Sequence, residues 1–167
     1  MHRGLYVVMG VSGSGKSVIG ALLARALGIE FVEGDAYHSP ENVARMSAGI
    51  PLTDEDRQAW LAAIATRLDA ARAGLGLVVS CSALRRRYRD VLRAGRTDVQ
   101  FVYLEGARAV LEQRLAGRHG HFMPSSLLDS QLAILEPPVP DEHAWVCDIG
   151  QPPEVIVAYL VARSQPR

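Results

Sequence analysis

Cysteine is scarce in this chain: only Cys81 and Cys147 occur among 167 residues. Each lies in an apolar run, so the two read as buried thiols of a reducing compartment rather than as a disulfide framework, and a cytoplasmic location is expected. No apolar run approaches the roughly 20 residues that cross a bilayer, so no membrane association is expected. The N-terminal run Leu5–Met9 is also too short for the apolar region of a secretory leader. Neither sign of charge is in excess, with 18 Lys and Arg against 18 Asp and Glu. That balance argues against a general binder of nucleic acid or of membrane surfaces, which is normally basic. Internal repeats, low-complexity tracts and long linkers are missing as well, so residues 1–167 read as one domain.

What is present is ordinary globular material, 49% hydrophobic, with strand-like and helix-like patterns in alternation. Strands are expected at Leu5–Met9, Glu30–Glu33, Leu75–Cys81, Val99–Leu104 and Trp145–Ile149. The intervening helical patterns make this an α/β fold with a mostly parallel sheet. Near-continuous apolar strands such as "LGLVVSC" fit a sheet covered on both faces. Ser39-Pro40 is an N-cap followed by proline at the first helical position, and Gly49 closes that segment. Thr53 and Asp56 form a capping-box pattern opening a helix with Leu61, Ile64 and Leu68 on one stripe, expected to run to Gly74. A further helix is expected over Ala83–Ala94, and "EPPVPDE", 136–142, is a proline-broken connection.

The strongest motif is "GVSGSGKS". Gly10, Gly15, Lys16 and Ser17 stand at the spacing of a phosphate-cradling loop, with Val11, Ser12, Gly13 and Ser14 between them. Small residues let successive backbone N–H groups turn onto phosphate oxygens. Lys16 supplies a point charge to the β- and γ-phosphates and Ser17 a hydroxyl for Mg²⁺. A helix from Ser17 to about Leu27 adds its N-terminal dipole. The Asn-Lys-x-Asp guanine motif and an Asp-x-x-Gly switch are both absent, which weighs against a GTP-driven switch.

A magnesium nucleotide enzyme also needs a carboxylate at a strand end near the loop. "LVVSCSAL" ends in Ser-Cys-Ser without one, and Asp35, at the end of "EFVEGDAYH", is the better candidate. It could take a proton from a substrate hydroxyl, organise the metal's waters, or serve only as a turn residue. Arg85, Arg86, Arg87, Arg89 and Arg93 crowd one helix, and for most of them a solvated face is the expected role. Arg114 and Arg118, four apart, enter the loop "RHGHFMP", a lid-like segment over about 114–124. His119 and His121 lack companion ligands, so zinc is not inferred.

With these pieces placed, the sequence resembles the gluconate kinases, small P-loop kinases. "MGVSGSGKS" carries the likeness, as do Gly34-Asp35, His38, Asn42, Met46, Gly49, Pro51-Leu52, Asp54, Asp56-Arg57 and Trp60-Leu61 within 33–61. The blocks "CSALRRRYRDVLR" and "GHFMPSSLLDSQLAILEPP" resemble two further family patterns. Two departures stand out: Glu33 where the family often has Asp, and Arg85 where Lys is common. The resemblance implies a three-layer P-loop kinase fold with a parallel five-stranded sheet, and ATP- and Mg²⁺-dependent phosphorylation of D-gluconate at its terminal hydroxyl. Asp35, His38, Asn42, Arg57 and Arg89 are of the right types for the acceptor's hydroxyls and carboxylate. The likeness further implies that Arg118 and His121 reach the phosphates or substrate and that Arg114 or the Asp148–Pro152 turn flanks adenine. The family is often dimeric, so a homodimer is compatible with it. The alternatives are a related kinase for a shikimate-like or other sugar acid and a nucleotide-dependent ATPase.

Overall fold

The computed structural model describes residues 4–117 and 126–166. Five strands, β1 (Leu5–Met9), β2 (Glu30–Glu33), β3 (Leu77–Ser80), β4 (Val99–Glu105) and β5 (Trp145–Asp148), form one sheet in the order β2-β3-β1-β4-β5. Every pairing is parallel, so the expected α/β architecture is present. β1 and β3 are buried along their whole length, as befits central strands covered on both faces. The flanking helices are α1 (Lys16–Leu27), α2 (Pro40–Ser47), α3 (Asp54–Ala71), α4 (Arg86–Arg93), α5 (Arg108–Ala116), α6 (Ser126–Ile134) and α7 (Pro153–Ser164). α1 packs on α7, and α3 on α4. No described helix is long and apolar enough to cross a membrane. Both cysteines are free and buried, and burial pushes the Cys81 thiol up to about 12.

Local signals set most boundaries. Ser39 caps α2 by accepting the Asn42 N–H at 3.1 Å, with Pro40 in the first turn. At α3, Thr53 Oγ1 accepts the Asp56 N–H at 3.1 Å while Asp56 Oδ2 accepts the Thr53 N–H at 2.9 Å. α3 stops at Ala71, short of Gly74, because Arg72 and Gly74 turn back onto Asp69 and Ala71 carbonyls. β3 pairs only from Leu77, whose N–H donates to the Gly4 carbonyl, so Leu75 stays outside the sheet.

Helix α4 starts later than expected. Ala83 takes a positive φ of 46° and Arg85 is extended, so residues 81–85 cross the strand ends as coil and the helix begins at Arg86. Its buried side includes Arg89, fully enclosed, while Val91 faces solvent at 44% exposure. The reason lies 53 residues away. Arg89 Nε and Nη2 donate to the two oxygens of buried Glu142 at 2.7 and 3.0 Å. Its remaining bonds run to the Ala83 and Glu136 carbonyls, both at 2.9 Å. Burial pushes the Glu142 carboxyl up, yet hydrogen bonds from Arg89, Arg93 and the Val139 N–H outweigh it and hold the group down at about 2. Arg89 therefore clamps α4 to segment 136–142 and is not placed to hold an acceptor's carboxylate. The other four arginines of the cluster are ion-paired as well, with Asp54, Asp141, Asp90 or Glu142. Arg86 and Arg87 remain exposed on a solvated face, while their ion pairs, and those of Arg85, also reach neighbouring segments.

Candidate active site

The carboxyl ends of β1, β2 and β3 converge on a cleft, as expected for a ligand site of an open parallel sheet. The phosphate loop links β1 to α1. Gly13 and Gly15 sit at φ +84° and +94°, angles that L side chains resist, and these let the loop curl tightly. Gly10 and Val11 form its base: the Gly10 N–H donates to the Ser82 carbonyl at 3.3 Å, and the Val11 carbonyl accepts from Lys16 Nζ at 3.1 Å. Ser12, Gly13, Gly15, Lys16 and Ser17 line the cleft.

A carboxylate the sequence did not offer for this role, Glu33, is hydrogen-bonded to Ser17 just after the loop, and Asp35 lines the same cleft. Glu33 Oε2 accepts from Ser17 Oγ at 2.9 Å and from Ser80 Oγ at 2.7 Å. Ser80 ends β3, where the sequence offered no acid, and it lies directly across from Glu33 in the β2–β3 register. Its hydroxyl also accepts the Gly34 N–H at 3.4 Å. Gly34 must be glycine, since a Cβ there would overlap the Ser80 carbonyl. Ser17 and Glu33 together present hard oxygen donors of the kind Mg²⁺ takes alongside phosphate oxygens. Among the described residues no cluster of three or more His, Cys, Asp or Glu could hold a metal by itself.

Beyond Glu33 the chain makes a short 3-10 turn, Gly34–Tyr37, and Asp35 within it lines the cleft together with Lys16. Trp60, buried on α3, fixes this turn by donating Nε1–H to the Gly34 carbonyl at 2.8 Å. His38 stacks on the Trp60 ring, centroids 4.1 Å apart and planes 17° from parallel. Burial lowers the His38 pKa; Asp35 opposes that shift and Arg57 adds to it, so the ring is neutral at pH 7. Asn42 Nδ2 lies 3.4 Å from His38 Nδ1, an acceptor in that arrangement, which leaves the proton on Nε2.

Asn42 itself is 4% exposed and does not line the cleft. Its amide donates to the Asp56 carbonyl at 2.7 Å and tethers α2 to the start of α3, so its service to the site runs through His38. The expectation of direct substrate contact is corrected on that ground. Arg57 does face the cleft, with Nη1 donating to the Leu52 carbonyl at 2.6 Å and to the Tyr88 hydroxyl at 3.1 Å. Arg89 stays outside, bound to Glu142. Ser14 and Arg114 line a second hollow on the other side of the loop, with Val18, Gln113, Gln151 and Pro153. Arg114 Nη2 donates to the Ile149 carbonyl at 2.5 Å there. Arg118 and His121 lie outside the described residues. Glu33 in a metal-side role, Ser80 and Gln131 are not singled out by the sequence, and Trp60 is named there only within the family pattern. The departure from Asp at position 33 was the one signal that pointed to the first.

A phosphate loop, an oxygen pair suited to a metal, and a further carboxylate in the same cleft on a parallel sheet define a P-loop phosphotransferase. The model of the AAA domain family matches residues 5–138. The gluconokinase of Gluconobacter oxydans is 47% identical over 160 residues, 95% of this chain and 90% of that one. Among solved structures, a sugar kinase from Janibacter sp. HTCC2649 superposes with TM-score 0.91 at 52% identity, covering 96% of this chain and 93% of its own. A gluconokinase from Sinorhizobium meliloti 1021 superposes with TM-score 0.87 at 51% identity, covering 98% and 92%. The chain belongs to the gluconokinase family.

Proposed function

We propose that this enzyme transfers the γ-phosphoryl group of ATP to the terminal hydroxyl of D-gluconate, giving 6-phosphogluconate and ADP. The observation that supports this reading is that Lys16 and Asp35 both line one cleft, in a chain of this family. The loop N–H groups and Lys16 take the phosphates, and Asp35 accepts the proton of the attacking hydroxyl or holds that hydroxyl in line. Neutral His38, its Nε2–H free of Asn42, donates to a hydroxyl of the acceptor. Arg57, whose planar fork suits a carboxylate, takes the acid end. Ser17 and Glu33 would hold Mg²⁺, which would neutralise charge on the transferring phosphoryl group. The hollow beside Ser14 and Arg114 takes the nucleoside.

An assay of ADP release tests the reading across gluconate, shikimate, other sugar acids, AMP and no acceptor. Fast release with gluconate alone is expected. A preference for another acid would reassign the acceptor, and equal release without acceptor would make the chain an ATPase.

A further inference from the structure

One polar contact crosses the cleft between parts of the chain 119 residues apart. The Ser12 N–H, on the leading edge of the phosphate loop, donates to Gln131 Oε1 of α6 at 2.7 Å. A backbone N–H can only donate, so the amide carbonyl of Gln131 must face it, and the amide NH2 must point away from the loop. Ser12 is 7% exposed and Gln131 is half-buried, so the bond is partly shielded from water.

Helix α6 touches the opposite side of the cleft as well. Leu127, four residues before Gln131 and so on the same helix face, forms a small apolar cluster with Met46 of α2 and Leu52. That cluster is separate from the main core, whereas Leu128 on the same helix is anchored in it. Met46, Leu52, Leu127 and Gln131 all line the cleft. A single turn of α6 therefore holds the nucleotide's loop with one side chain and the acceptor's wall with another.

We infer that Gln131 is a positioning residue for transfer: by holding the Ser12 N–H it ties the phosphate loop to α6, and through Leu127 to the acceptor-side residues. Occupation of either half of the site then favours the arrangement that the other half needs, and such coupling is reciprocal. This rests on the gluconate reading given above. Gln131→Met removes the acceptor oxygen at nearly the same volume, and Gln131→Glu keeps an oxygen in its place.

Two measurements on the full chain test the inference. The first is the Ser12 amide resonance in selectively labelled protein. It is expected to move upfield in Gln131→Met and to stay near its wild-type position in Gln131→Glu. The second is the factor by which saturating gluconate tightens binding of a non-hydrolysable ATP analogue, read by calorimetry. A factor of about 5 or more in wild type should fall to within about 2 of unity in Gln131→Met, with the analogue's affinity alone changed by less than about 2-fold. Leu160→Ala, in the core of α7, serves as a variant of lowered stability that should keep the coupling. An unchanged Ser12 resonance in Gln131→Met, or equal loss of coupling in Leu160→Ala, would overturn the proposal. Wild-type turnover of gluconate judges the acceptor reading separately, since the Ser12 resonance reports Gln131 whatever the acceptor.

Discussion

Replacing Arg89 with leucine removes four hydrogen bonds and strands a carboxylate. Glu142, its side chain 1% exposed, would keep only Arg93 Nη2 at 2.8 Å and the Val139 N–H at 3.0 Å. The Ala83 and Glu136 carbonyls would lose their partner too. Breaking a buried pair by removing one member costs ~3–5 kcal/mol, and the surviving Arg93 bond places this case near ~3. Against a total stability of about 5–15 kcal/mol that is a large fraction. At about 2–4 °C per kcal/mol for a domain of this size, Tm should fall by about 6–12 °C. The acid limb carries the same information. Because the folded-state pKa of Glu142 is depressed from 4.5 to about 2, its stabilisation is complete above pH 4.5 and fades as pH falls towards 2. The gap in stability between wild type and Arg89→Leu should therefore narrow across that window. Thermal unfolding from pH 7 to pH 2, with KM for gluconate at pH 7, decides the matter. An unaltered Tm with a sharply raised KM would show that Arg89 binds the acceptor, and the structural assignment would be wrong.

Three substitutions probe the cleft. Lys16→Ala should cut kcat by about 10²–10³ or more, because the group acts on charge that develops in transfer; near-normal turnover would dismiss the phosphate-loop role. Asp35→Asn should lower kcat by about 10²–10⁴ while ADP affinity, read by calorimetry, stays close to wild type. A normal kcat would return Asp35 to turn duty. Glu33→Gln should raise the Mg²⁺ concentration needed for half-maximal rate by about 10–100-fold and weaken Mn²⁺ binding in the presence of ADP, measured by electron paramagnetic resonance. An unchanged metal requirement would detach Glu33 from the metal.

The features that could be read along the chain are those whose partners lie within a few residues. The phosphate loop, the Ser39 cap and the Thr53–Asp56 capping box close their bonds over three to five positions, so residue type and spacing carry them. The buried, largely apolar strands β1 and β3 were likewise legible, because burial on both faces leaves little room for polar alternation. Resemblance added the acceptor, through blocks that no local rule explains.

Other assignments depended on which residues the fold brings together. Glu33 meets Ser80 and Ser17 only because β2 pairs with β3 in a particular register, 47 residues apart. Arg89 looked like one cation among five until Glu142 came beside it and made it the most enclosed of them. Asn42, of the right type to touch substrate, is turned inward by the Asp56 carbonyl. In each case the sequence determined the chemical type and its local geometry. Only tertiary structure decided whether that group faced the cleft or was spent on a buried partner, because the cost of leaving a buried polar group unpaired is settled by neighbours far along the chain.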